Sequence, residues 1–212
     1  MDITIIYDNT LQNKNLKSDW GFSALVEGYD TTILFDTGAS GEILTHNMEK
    51  LNIDSQDIDK VFISHNHFDH TGGLSSFLDQ NNDVEVYVPP SLRGIRNVKK
   101  QVYIKNSQKL NSHIFTTGTL QNIEQSLLIK TEKGIVVVVG CSHSGIGNIL
   151  EVAKKYGDPY ALIGGYHGFD QFELLKDLEI VCPTHCTEYI DKIKNTYPDK
   201  YIEGGAGTRI SI

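Results

Sequence analysis

No stretch of the chain is rich in proline or serine, and its 5 prolines are scattered, so nothing in the composition marks a linker. The 212 residues therefore read as one domain, 1–212, long enough for one sizeable core. No apolar run approaches the roughly 20 residues that cross a bilayer, so no membrane partner is expected. Asp2 follows Met1 directly and leaves no basic leader segment; the predicted location is cytoplasmic. Cysteine is scarce: Cys141, Cys182 and Cys186 are 3 in all, an odd number that argues against a disulfide framework and suits a reducing compartment. Positive charge is short as well, 19 Lys and Arg against 27 Asp and Glu, so the field of the whole molecule, at net −8, disfavours nucleic acid and anionic lipid. One segment lacks the opposite sign. Residues 91–123 hold Arg93, Arg96, Lys99, Lys100, Lys105 and Lys109 and no Asp or Glu.

What the chain has is histidine, concentrated. His65, His67, Asp69 and His70 follow the apolar run Val61-Phe62-Ile63 and precede Gly72-Gly73. Residues two apart on an extended strand end point the same way, so His65 and His67 can offer two imidazoles to one ion. Asp69 and His70 lie on the turn that follows, where a carboxylate and an imidazole can take a second ion about 3.5–4 Å from the first.

Around this cluster the chain reads as alternating strands and helices. Residues 3–6 form a first strand, and Asp8 to Asp19 a polar loop with little to bury. A hairpin, 22–26 and 31–35, crosses Gly28-Tyr29-Asp30. A helix over 40–51 buries Leu44, Met48 and Leu51, and a strand from Ile58 delivers the histidines. From Ser91 to Ile123 periodicity is poor. A hairpin then joins 127–129 to 135–139, whose unbroken Ile-Val-Val-Val-Val predicts burial on both faces. Strands ending at Cys141-Ser142-His143, at Gly165-Tyr166-His167 and at Thr184-His185-Cys186 are each followed by a helical pattern, the second around Leu174, Leu175 and Leu178. Strand-to-helix turns of a layered α/β protein lie on one edge of the sheet, where ligands bind. Six of the 8 histidines can converge there, leaving His46 and His113 as surface residues.

These stretches, in this order, resemble the metallo-β-lactamase superfamily, whose His-x-His-x-Asp-His signature is met in full at 65–70. More narrowly, Phe35 to Gly38, Ser64 to Gly73, Gly140 to Gly145, Gly164 to His167 and Pro183 to Cys186 are similar to the branch containing 7,8-dihydropterin-6-yl-methyl-4-(β-D-ribofuranosyl)aminobenzene-5′-phosphate synthase. The resemblance covers essentially the whole chain. It implies an α/β fold, a four-layer αβ/βα sandwich of two mixed sheets, with a dinuclear centre at the strand edge. Carried over residue by residue, it implies that His65, His67 and His143 hold one metal and Asp69, His70 and His185 the other. Asp36 would lie beneath them as an acceptor fixing an imidazole tautomer. Many members place a metal-bridging Asp where this chain has Cys141, which is then a thiolate ligand, a neighbour of the site, or a small buried residue.

The expected activity is hydrolysis by a metal-dependent enzyme, two divalent ions lowering the pKa of a shared water and polarising the electrophile. Zn²⁺ suits these ligands first, with Mn²⁺ or Fe²⁺ next. The alternatives are a di-iron redox or sensing protein on the same fold, and a lactonase or thioesterase. Asp69 and His167 are the candidate catalytic residues, His167 as proton donor or substrate contact between glycines that allow close approach. Residues 91–123 read as a basic lid that would draw a small anionic substrate, a phosphate ester above all, with Arg93 and Arg96 forking to its oxygens. The alternative for that segment is a solvated loop or a contact with a second subunit of a homo-oligomer.

Overall fold

A computed structural model describes residues 1–212. The first three strands, β1 (Asp2–Tyr7), β2 (Ser23–Gly28) and β3 (Thr31–Phe35), pair antiparallel. The β2–β3 hairpin turns on Tyr29 and Asp30 with φ 55° and 57°, the doubly left-handed geometry that matches strand twist. Helix α1 (Gly41–Lys50) starts at Ser40, whose hydroxyl accepts the Ile43 N–H, and buries Leu44, Asn47 and Met48. Strands β4 (Lys60–Phe62) and β5 (Glu85–Val88) then add in parallel, separated by the short helices α2 (Phe68–Thr71) and α3 (Leu74–Gln80). Strand β6 (Lys100–Tyr103) completes that side.

The chain now crosses to a second sheet. Strands β7 (Asn106–Lys109), β8 (Ile114–Gly118), β9 (Leu127–Lys130) and β10 (Ile135–Val139) meander antiparallel. After helix α4 (Ile146–Ala153), β11 (Pro159–Gly165) and β12 (Ile180–Thr184) add parallel to β10. Helix α5 (Ile190–Thr196) leads to β13 (Arg209–Ser211), which returns to pair with β1. The seven-stranded order is β13-β1-β2-β3-β4-β5-β6 and the six-stranded order β12-β11-β10-β9-β8-β7, two mixed sheets as expected.

Alternation along the strands builds the layers. Ala24, Val26, Ile33 and Phe35 face the other sheet, in an inter-sheet core of 19 buried residues, while Leu25 and Leu34 point outward under α1 and α3. In β10 every residue is fully buried: Val136 and Val138 point between the sheets, Ile135, Val137 and Val139 toward α4. Each such side chain contributes about 1.5–3 kcal/mol by leaving water, so strands buried on both faces form a rigid base for the loops they end in.

Two expectations need correction. Residues 100–118 of the irregular stretch are three strands, β6 to β8. The first two are edge strands with largely exposed side chains, so they carry no apolar alternation, and Lys100 and Lys109 on them are charges of the kind that discourage edge pairing. The helix expected around Leu174, Leu175 and Leu178 is only a 3₁₀ turn, Phe172–Leu175. The site loop after β11 uses up much of this short connection. No helix is long and apolar enough to cross a membrane.

Candidate metal centre

Five strand ends deliver the site: β3 to Asp36, β4 to Ser64 and His65, β10 to Cys141 and His143, β11 to His167, and β12 to His185. Asp36 is fully buried and organises two imidazoles at once. It accepts the Ser64 N–H on Oδ1 and the Ser64 hydroxyl on Oδ2, both at 2.7 Å. With its proton directed to Asp36, the Ser64 oxygen accepts the His65 Nδ1–H at 2.9 Å, which leaves the His65 Nε2 lone pair facing forward. That atom lies 2.9 Å from His67 Nδ1. The His143 ring stands 4.8 Å from that of His65 and 4.9 Å from that of His67, and its Nε2 is buried without a partner. The ligand atoms of His65, His67 and His143 all lie within 4.8 Å of one another.

A second triad adjoins the first. His70 donates Nδ1–H to Asp36 Oδ2 at 2.7 Å, and its Nε2 is 3.6 Å from Asp69 Oδ2. His185 donates Nδ1–H to Asn9 Oδ1 at 3.1 Å, while its Nε2, 3.4 Å from Asp69 Oδ2, has no hydrogen-bond partner. Ligand atoms of Asp69, His70 and His185 again lie within 4.8 Å of one another, and the His65 and His70 rings, 4.2 Å apart, connect the two sets. Cys141 Sγ is 3.2 Å from His70 Nε2.

The electrostatics favour ligands in their binding form. Burial, reinforced by neighbouring imidazoles, holds His65 far below the usual histidine range. Burial and the nearby His167, His67 and His70 hold His143 at about 4. For Asp69 burial pulls upward, but the close approach of the His185 imidazole, 3.4 Å away, and the charge of His70 prevail and hold it at about 2. His70 is raised although burial opposes it, because Asp36 and Asp69 favour positive charge there. Buried nitrogens of His143 and His185 with no partner in the protein, beside His65, His70 and His185 rings held from behind, fit divalent cations: an ion supplies the missing partner and the charge these carboxylates favour.

Residues 21–117 match the family model of the metallo-beta-lactamase superfamily. The chain is 27% identical to a solved metal-dependent hydrolase of the beta-lactamase superfamily, with TM-score 0.83 over 100% of this chain and 99% of that one. Its fold is that of the metallo-β-lactamase superfamily. It is also 28% identical to 7,8-dihydropterin-6-methyl-4-(beta-D-ribofuranosyl)-aminobenzene-5'-phosphate synthase of Methanocaldococcus jannaschii, over 94% of this chain and 91% of the relative. The short form of human tRNase Z, 16% identical, shares the fold, with TM-score 0.65 over 100% of this chain and 99% of the other.

In this metallo-β-lactamase fold, three groups that position the centre give no signal as sequence. Glu124 is 1% exposed and clamps the loop after β10, accepting the N–H groups of Cys141 at 2.8 Å, Ser142 at 3.1 Å and His143 at 2.7 Å. Asp8, also 1% exposed, accepts the Thr184 hydroxyl and the His185 N–H, and Asn9 holds His185 through its ring and, at 2.9 Å, its carbonyl. The loop read as having little to bury therefore seats a ligand candidate. Ser64 is the third.

His167 is exposed, its ring 5.0 Å from that of His143, and both border a cleft of 460 Å³ ahead of α4. Arg93 and Arg96 are not brought to this centre. They line a separate depression beside α3 with Thr71, Ser75 and Asp79, Arg93 lying 5.9 Å over the Tyr103 ring. The two arginines of the basic segment thus lie beside α3 and not over the histidines, and residues 100–118 of that segment run through β6 to β8. His46 and His113 stand apart from the centre, His113 stacked on Tyr29 at 4.0 Å.

Proposed function

We propose that the chain is a hydrolase that holds two divalent ions, one on His65, His67 and His143 and one on Asp69, His70 and His185, and cleaves a small anionic ester. The observation that carries this reading is the pair of adjoining triads, each with a buried imidazole Nε2, of His143 and of His185, that no protein group satisfies. Zn²⁺ suits the nitrogen-rich ligand set first, then Mn²⁺ or Fe²⁺. Ions bound there would acidify a shared water and polarise the electrophile.

The chain's own residues do the rest. Asp69, ionised well below neutral pH, stands between His70 and His185 as an acceptor that needs no activation. His167, on the open side of His143, is suited to pass a proton to a leaving group in the cleft ahead of α4. The solved relative's description as a metal-dependent hydrolase supports hydrolysis, and the archaeal relative's name, which contains a 5′-phosphate, supports an anionic substrate.

The test is a screen of phosphomonoesters, phosphodiesters, lactones and thioesters with metal-depleted protein reloaded with Zn²⁺, Mn²⁺ or Fe²⁺. The expected result is turnover of a phosphate ester that returns with metal and disappears with chelator. For the responsive substrate, His167→Ala should lower kcat by about 100-fold with ion content unchanged. A reloaded protein that turns over none of the four classes would contradict the reading, and an unaltered kcat in the variant would remove His167 from it.

A further inference from the structure

None of the three cysteines belongs to either triad, and the fold sets two of them, Cys141 and Cys186, against each other. Cys141 lies two residues past the end of β10, and Cys186 two past the end of β12. The end of β11 runs between them. Gly165 stands there, and a Cβ on it would come within 2.7 Å of Cys186 Sγ and 3.4 Å of the Cys141 Cα. Glycine on the middle strand therefore leaves the space in which side chains from the two outer strands meet. The Cys186 S–H points at the Cys141 carbonyl at 3.9 Å. The two sulfurs and a ring nitrogen of His185 all lie within 4.8 Å of one another, and His185 Nε2 is buried without a partner. Ligand atoms around a tetrahedral zinc-like ion, with M–S of about 2.3 Å and M–N of about 2.0 Å, stand roughly 3.5–3.8 Å apart, so modest side-chain rotation closes the set.

We propose that Cys141, Cys186 and His185 form a third ion position, selective for a soft thiophilic ion of the cadmium or cuprous type. Two sulfurs and an imidazole prefer such ions over the harder ones that a carboxylate-containing set accepts. On binding, each thiol releases its proton to solvent and the two thiolate charges balance a divalent ion. His185 is shared with the Asp69–His70 set. A soft ion held by the sulfurs therefore withdraws His185 from that set, and the two occupancies exclude each other. The inhibitory consequence rests on the hydrolase reading above; the site itself does not.

The probe is Cd²⁺ added to the full-length protein, metal-depleted and kept reduced. The ¹¹³Cd resonances of the wild-type protein should include one in the sulfur-bound region, accompanied by a thiolate-to-cadmium charge-transfer band in the ultraviolet. That band should fall to about half in Cys186→Ser and in Cys141→Ser, disappear when both are replaced, and persist in His67→Ala. Wild-type protein showing only nitrogen- and oxygen-bound cadmium would overturn the proposal, without reference to any variant's folding. So would a band of full size in Cys186→Ser. Zinc-dependent ester hydrolysis on the same preparation keeps the two readings apart. Hydrolysis without sulfur-bound cadmium ends the soft-ion site alone, and sulfur-bound cadmium without hydrolysis ends the hydrolase reading alone.

Discussion

Asp36, Ser142, His167 and His185 all adopt left-handed backbone, with φ of 53°, 60°, 49° and 52°. Each follows a strand end, and the sharp turn aims a side chain at the centre at a local cost on the order of 1 kcal/mol. The histidines were legible because six of them fall at strand-to-helix turns, and a residue type whose lone pairs bind metals carries its chemistry in its name. Glu124, Asp8 and Asn9 were not, since their roles arise from contacts across 17 to 177 residues of sequence that only the fold creates. Asp36 was legible as a partner of the cluster, but not its double hold on His70 and, through Ser64, His65. Asp36→Ala removes the acceptor that orients both rings and leaves three buried donors, the Ser64 N–H and hydroxyl and the His70 Nδ1–H, without that partner. Ion affinity should fall about 10–100-fold by competition with a chelator dye. His143 yields a pH prediction for the ion-free protein. Its folded value of about 4 lies below the ordinary 6.5, so between these pH values the unfolded chain binds a proton on this ring that the folded chain refuses. The group therefore subtracts stability as pH falls through that window. Urea midpoints of His143→Asn should decline less from pH 6.5 to about 4 than those of the wild type.

Strands show the same division between what pattern reveals and what it hides. Strand β10 was readable from its unbroken apolar run and is buried throughout. Strands β6 and β7 were not, because an edge strand with solvent on much of its surface has no alternation to display. They carry the chain across from one sheet to the other. The middle strand of the parallel trio, β11, is where backbone approach is tightest: Gly164 has φ 125°, and a Cβ there would meet the Val139 carbonyl oxygen at 2.0 Å. Gly164→Ala should then cost on the order of 3 kcal/mol, seen as a lower urea midpoint, because neither the backbone angle nor the neighbouring carbonyl can accommodate a methyl group. A midpoint equal to the wild type would mean that β10 and β11 separate more easily than their shared core implies.

At the scale of the whole molecule, two mixed sheets packed face to face bring residues 36, 65–70, 141–143 and 185 to one edge. The inter-sheet core supports them from below, and helices cover both outer faces. A layered α/β arrangement was legible in the alternating strand and helix patterns, while the sandwich of two mixed sheets was what the family resemblance implied. The contribution of the first polar loop, which reaches across to hold His185 from the opposite end of the chain, did not. The proposed function requires two ions at this edge, and counting them tests it most directly. Elemental analysis of protein reloaded with Zn²⁺ and freed of excess should give two ions per chain, and His185→Ala should give one, with ester turnover reduced at least about 100-fold. One ion per chain in the fully loaded wild type, or two retained in His185→Ala, would contradict it.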